Sequence, residues 1–158
     1  MKARTFVSIL ILVLAVMVIA GSCATMKQAI SIDDAMKEFA GVYVNTEYDG
    51  NRKTQPQKYV VTSDGKIEDW ALATNERASW KGEYVIVESW VDSEGNIYCT
   101  VDTKYYTGST TKELWKLDKT RSTFEEQFKL GRGGEYPTKI DPDVEPYGPL
   151  YYWTGQRQ

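Results

Sequence analysis

From Gly41 onward the chain alternates apolar and polar residues with a period of two, and short turns rich in Gly, Asp and Asn interrupt the alternation at regular intervals. This constrains the fold more than any other feature, because a period of two puts successive side chains on opposite faces of an extended strand. The pattern predicts strands over Val42–Thr46, Lys58–Thr62, Lys66–Leu72, Glu83–Val91, Asn96–Tyr106, Lys112–Asp118, Thr123–Leu130 and Leu150–Thr154. Ser63-Asp64-Gly65-Lys66 and Asp92-Ser93-Glu94-Gly95-Asn96 read as hairpin turns, each with a glycine for the left-handed position. Sequential strands therefore pair up and down. The expectation is an all-β domain of eight antiparallel strands, enough to close a barrel.

The Asp92–Asn96 turn also orients side chains. If Gly95 takes the left-handed position, Asp92 pairs with Asn96 and Val91 stands opposite Ile97. Val85, Val87, Ser89 and Val91 then share an inner face with Ile97, Cys99, Val101, Thr103 and Tyr105. Carried over the next two turns, the register adds Trp115, Leu117, Phe124, Phe128 and Leu130 to that interior. Glu126 lies on the same face, the one carboxylate this register places inside. Tyr84, Trp90 and Tyr98 are expected to point outward.

Ahead of the strands, Ser31 and Asp34 form a capping pair, and Ile32, Ala35, Met36 and Phe39 follow at helical spacing. One short amphipathic helix is expected over Ser31–Ala40, ending near Gly41.

Composition then removes several functions. The formal net charge is −3, and more negative once Lys2 and Arg4 are set aside, which disfavours nucleic-acid binding. There is no histidine, so the commonest general base and every Ser-His or Cys-His pair are absent. No catalytic group, metal site or cofactor is predicted. Five tryptophans and eleven tyrosines are a heavy aromatic content, suited to filling a core or lining a site.

Several stretches taken together resemble the small bacterial lipocalin-like barrels. They are the short helix running into Gly41-Val42-Tyr43-Val44-Asn45, the phrase Trp80-Lys81-Gly82-Glu83-Tyr84, the strand around Leu114-Trp115-Lys116-Leu117, and Tyr151-Tyr152-Trp153 near the carboxyl end. The likeness covers most of residues 31–158. It implies an eight-stranded lipocalin-like barrel with a helix across one end and a cup for a small apolar or amphipathic molecule. Glu126, Trp115, Tyr105, Thr103, Phe124 and Phe128 are the candidate pocket residues, Glu126 supplying the polar contact.

The amino end carries a second resemblance. Lys2 and Arg4 precede an apolar run from Phe6 to Ala20, and Gly21-Ser22-Cys23 follows at once. The apolar run is short for a spanning helix. This arrangement resembles the signal peptide and lipobox of bacterial lipoproteins, although Ala20 stands where leucine is more common. The resemblance implies a signal peptide over residues 1–22, lipid on Cys23 and a tether over residues 23–30. Ala24 after the cysteine implies the periplasmic face of the outer membrane. With Cys23 lipidated, Cys99 has no partner for an intramolecular disulfide, and on an apolar strand face it reads as a small buried hydrophobe.

The stretch from Gly131 to Pro149 is rich in glycine and proline. Asp141, Asp143 and Glu145 alternate within it, more in keeping with a solvated acidic lid over the barrel mouth than with a calcium loop. Two non-catalytic functions stay open: binding a small molecule in the envelope, or acting through contacts with another envelope protein.

Overall fold

The computed structural model describes residues 27–46, 57–78, 81–129, 134–144 and 150–158. Residues 1–26, which hold the expected signal peptide and Cys23, lie outside the described residues, as do Trp80, Leu130 and the flanks of the 131–149 stretch, Glu145 included.

The helix forms as its sequence dictates. α1 (Ile32–Phe39) is capped by Ser31, whose Oγ accepts the Asp34 N–H at 3.1 Å and donates to Asp34 Oδ2 at 2.6 Å. Asp33 and Asp34 occupy its first turn and Lys37 its last, which suits the helix dipole. Ala35 and Phe39 are fully buried.

Ten strands follow or flank it: β1 (Gln28–Ala29), β2 (Gly41–Asn45), β3 (Gln57–Val61), β4 (Ile67–Ala71), β5 (Glu76–Ala78), β6 (Glu83–Val91), β7 (Ile97–Lys104), β8 (Thr110–Leu117), β9 (Thr123–Lys129) and β10 (Leu150–Arg157). They form one antiparallel sheet in the order β1-β6-β7-β8-β9-β10-β2-β3-β4-β5. The eight expected strands are all present. The count of eight is corrected by β1 and β5, which are two and three residues long. Pattern reading does not register strands this short, because their pairing is supplied by neighbours already in place.

The sheet curls strongly, so that β4 comes back beside β6. There Lys66 and Glu83 form an antiparallel bridge, Ile67 N–H donates to Gly82 O at 2.9 Å, and Tyr84 N–H donates to Gly65 O at 2.8 Å. The Asp92–Asn96 turn has the expected form. Gly95 adopts φ 92°, Gly95 N–H donates to Asp92 O at 3.1 Å, and Val91 stands opposite Ile97.

A β-bulge between Ile86 and Glu88 changes the inner face of β6. The extra residue shifts the alternation, so Ser89 and Val91 keep the expected side while the residues before the bulge exchange faces. Val85 and Val87, expected inside, are 63% and 44% exposed, and Tyr84 and Ile86 are buried in their place. Tyr84 is thus corrected from outward to inward. Its hydroxyl donates to Thr62 O at 2.6 Å, which satisfies the one polar atom this exchange buries.

One end of the interior of the curled sheet is apolar. Phe39 of α1 packs on Trp115 and Phe124 with ring centroids 5.7 Å apart in both cases, and Tyr43 meets Phe124 at 5.0 Å. α1 lies across this end, held by Arg121 Nε to Glu38 at 3.0 Å and by Arg157 Nη2 to Ala40 O at 3.3 Å. The other end is where the polar side chains gather.

Candidate functional site

Four inward-facing strand residues and one residue from the segment between β5 and β6 make a buried polar cluster. Gln57 on β3 and Asp69 on β4 lie on neighbouring strands, Glu113 on β8 and Glu126 on β9 likewise, and Lys81 reaches in just before β6. Asp69, Glu113 and Glu126 are 0% exposed, Lys81 2% and Gln57 7%. Residues of these types are rarely buried unless paired. Here the pairing is incomplete.

Lys81 Nζ donates to Glu126 Oε1 and lies 3.9 Å from Glu113 Oε2. It also stands 4.5 Å from the centre of the Tyr59 ring, a cation–π contact. Glu113 accepts further bonds from Thr111 Oγ1 at 2.6 Å and Trp115 Nε1 at 2.8 Å. Gln57 Nε2 donates to Asp69 Oδ2 at 3.3 Å.

The charges respond to this setting. Burial opposes the Lys81 ammonium, but Glu113 and Glu126 outweigh it and hold the proton more firmly than usual. Glu113 and Glu126 diverge. Burial would raise Glu113, yet Lys81 and its hydrogen bonds hold it below the usual range, while burial and the neighbouring Glu113 charge push Glu126 well above it. The two carboxyls therefore titrate as one coupled pair around the Lys81 ammonium, Glu113 giving up its proton the more readily. Asp69 is pushed up to about 6 by burial, with Lys81 pulling the other way.

Several buried side-chain atoms of this interior make no hydrogen bond: Gln57 Oε1, Asp69 Oδ1, Thr103 Oγ1, Trp153 Nε1 and Glu126 Oε2. Buried polar atoms are normally satisfied, so these five are exceptions gathered in one interior.

All six residues expected to line a pocket face this interior, but at different depths. Trp115 and Phe124 belong to the aromatic floor under α1, where the two rings meet at 5.1 Å. Glu126, Thr103 and Phe128 are buried at the polar end, and Tyr105 is half-buried there, its hydroxyl pushed up to about 12 chiefly by burial. Glu126 is not the sole inner carboxylate: Glu113 and Asp69 join it, which corrects the sequence reading. Glu113 was within reach, because it precedes Trp115 by two and must share its face. Lys81 carried no such signal, as it lies outside any strand. Cys99 is fully buried, and burial pushes its thiol up to about 12.

A second feature lies on the outer face. Residues 134–144, expected over the barrel mouth, run instead against the outside of the sheet: Tyr136 OH donates to Asp102 Oδ1 at 2.6 Å and Asp141 N–H to Gln127 Oε1 at 2.8 Å. Beside them is a cleft of about 480 Å³ lined by Lys27, Trp90, Tyr98, Lys116, Ile140 and Pro142, among others. Trp90 and Tyr98 point outward as expected and stack at 5.6 Å and 5°.

No known protein family, curated protein or solved structure matches the chain.

Proposed function

We propose that this chain is a non-catalytic lipoprotein of the bacterial cell envelope whose curled sheet acts as a lipocalin-like barrel and binds a small amphipathic ligand. The proposed anchor is lipid on Cys23, with the domain held at the periplasmic face of the outer membrane through the short tether. One observation carries the binding reading: unpartnered buried polar atoms collect at one end of an otherwise aromatic interior. A core built only for stability would have apolar residues there, since each unsatisfied buried group costs about 1–3 kcal/mol. The β4–β6 bridge supports a barrel, because it joins strands from opposite margins of the sheet.

The test is native mass spectrometry of the full chain purified in detergent. A retained small molecule, lost or diminished in Glu126→Gln, is the expected result. A bare mass for the unaltered protein after gentle purification would overturn the reading.

The outer cleft favours a second reading, contact with another envelope protein, because the stacked Trp90 and Tyr98 offer an aromatic anchor of the kind that interfaces use. Crosslinking from Trp90 replaced by a photoreactive residue would capture such a partner in intact cells. Loss of that crosslink on also replacing Tyr98 by alanine would tie it to the stack.

A further inference from the structure

We propose that the inner site takes an organic ammonium compound, whose charged nitrogen is held by Asp69 and Gln57 and whose apolar part lies along Phe128 and Tyr151. The proposal deepens the ligand-binding reading and rests on it.

The first argument is charge. Among the described residues, three buried carboxyl groups, Asp69, Glu113 and Glu126, face a single buried cation, Lys81. That cation is committed to the two glutamates, through its bond to Glu126 and its 3.9 Å approach to Glu113. Among the described residues Asp69 has no ion-pair partner within salt-bridge distance, and it rests on one amide bond from Gln57. An anionic ligand would add repulsion to this imbalance, whereas a cation relieves it.

The second argument is hydrogen-bond polarity. Asp69 Oδ1 and Gln57 Oε1 are both buried, both unpartnered and both acceptors. They belong to side chains already bonded to each other, so the two free oxygens lie in one neighbourhood. An ammonium group offers up to three N–H donors and no acceptor, which matches this pair. A ligand bearing only acceptors would leave both oxygens unsatisfied.

The third argument separates an organic cation from a metal ion. Among the described residues, no three carboxylate or thiol groups are placed to share an ion. The aromatic rings point the same way. Phe128 and Tyr151 pack at 4.7 Å between centroids, and Phe128 lies 5.9 Å from Lys81 Nζ, so an apolar wall adjoins the polar cluster. Tyr59, stacked on Trp153 at 3.8 Å and 4.5 Å from Lys81 Nζ, continues the aromatic surface beside them.

The experiment is titration calorimetry on the full chain in detergent, at mildly alkaline pH, with three probes of one skeleton: phenethylammonium, 2-phenylethanol and 3-phenylpropanoate. Phenethylammonium is expected to bind at least about tenfold more tightly than the other two, as a charge-assisted hydrogen bond requires. Asp69→Asn, which keeps the shape and removes the charge, is expected to weaken that binding about tenfold or more. Gln57→Met, which leaves every carboxylate in place, is expected to weaken it several-fold. Thermal unfolding of each variant confirms that it is folded.

Equal or tighter binding of the alcohol or the carboxylate would overturn the ammonium assignment while leaving the ligand-binding reading standing. Unchanged ammonium binding in Asp69→Asn would overturn it in the same way. Failure of all three probes to bind would also overturn it, and the mass measurement would then decide the broader reading alone.

Discussion

Lys81 and Glu126 are 45 residues apart in the chain and meet side chain to side chain in the interior, with both fully or nearly fully buried. The contact joins the β5–β6 segment to β9 across the concave side of the sheet. It is a buried ion pair in a coupled cluster, and the net value of such a pair differs from the cost of breaking it.

Removing the cation alone tests that difference. Lys81→Met leaves Glu113 and Glu126 facing each other without their shared counter-charge, and the expected loss is about 3–5 kcal/mol in urea unfolding. Adding Glu126→Gln to Lys81→Met should recover part of the loss, because it removes one of the stranded carboxyls. An unchanged unfolding midpoint in Lys81→Met would contradict the pairing.

Asp69 sets a pH dependence whose sign follows from its burial. Its carboxyl rises from 3.8 to about 6 on folding, so the folded state binds the proton more tightly than the unfolded one. The stability this contributes is complete below pH 3.8 and is lost as pH rises through about 6. Asp69→Asn should therefore be more stable than the parent near pH 8 by about 2–3 kcal/mol, with the gap closing near pH 4. Parallel unfolding profiles across that window would refute it. Together with the calorimetry this makes a trade-off: the variant expected to bind worst is expected to be the more stable near neutrality.

Gly155 gives way to the indole of Trp153. A Cβ placed there would collide with the Trp153 ring, which has its other contacts on Tyr59 and Phe124. Gly155→Ala is expected to cost about 1–3 kcal/mol, the usual range for overpacking, and to alter the near-ultraviolet circular dichroism of the displaced indole. Unaltered stability and spectrum would show that the ring has room to move.

The anchor is tested by Cys23→Ser. The variant is expected to leave the membrane fraction or to accumulate as an uncut precursor, whereas the unaltered chain is expected to be recovered from membranes with lipid on residue 23. Recovery of an unlipidated natural chain beginning at Ala24 would contradict the lipoprotein reading.

Much of the fold was legible because hairpin turns convert local sequence into long-range pairing. Asp92 and Gly95 fixed where Val91 meets Ile97, and simple alternation then placed Trp115, Phe124, Glu126 and Phe128 inside. The bulge after Ile86 was not legible. Val85, Ile86 and Val87 are all apolar and β-branched, so nothing in their chemistry says which of them turns outward. The site divides along the same line. Glu113 and Asp69 were missed although alternation from Trp115 and Ile67, two residues away on the same strands, places them inside, whereas Lys81 gave no signal, because a lysine between strands is ordinarily solvated. Its burial results from the curl of the sheet, which brings Glu113 and Glu126 within its reach.

The two residues of β1 have a mechanical consequence. Gln28 and Ala29 pair with Val91 and Trp90 at the sheet margin, Ser89 Oγ donates to Ile30 O at 2.8 Å, and Ile30 packs against the core. Any tug on the amino end of the chain is taken up first by this clasp, and only after it lets go does the load pass to α1 and the floor beneath it. β1 thus works as a strain relief, like the grip where a cable enters its housing, set between the amino end and the helix.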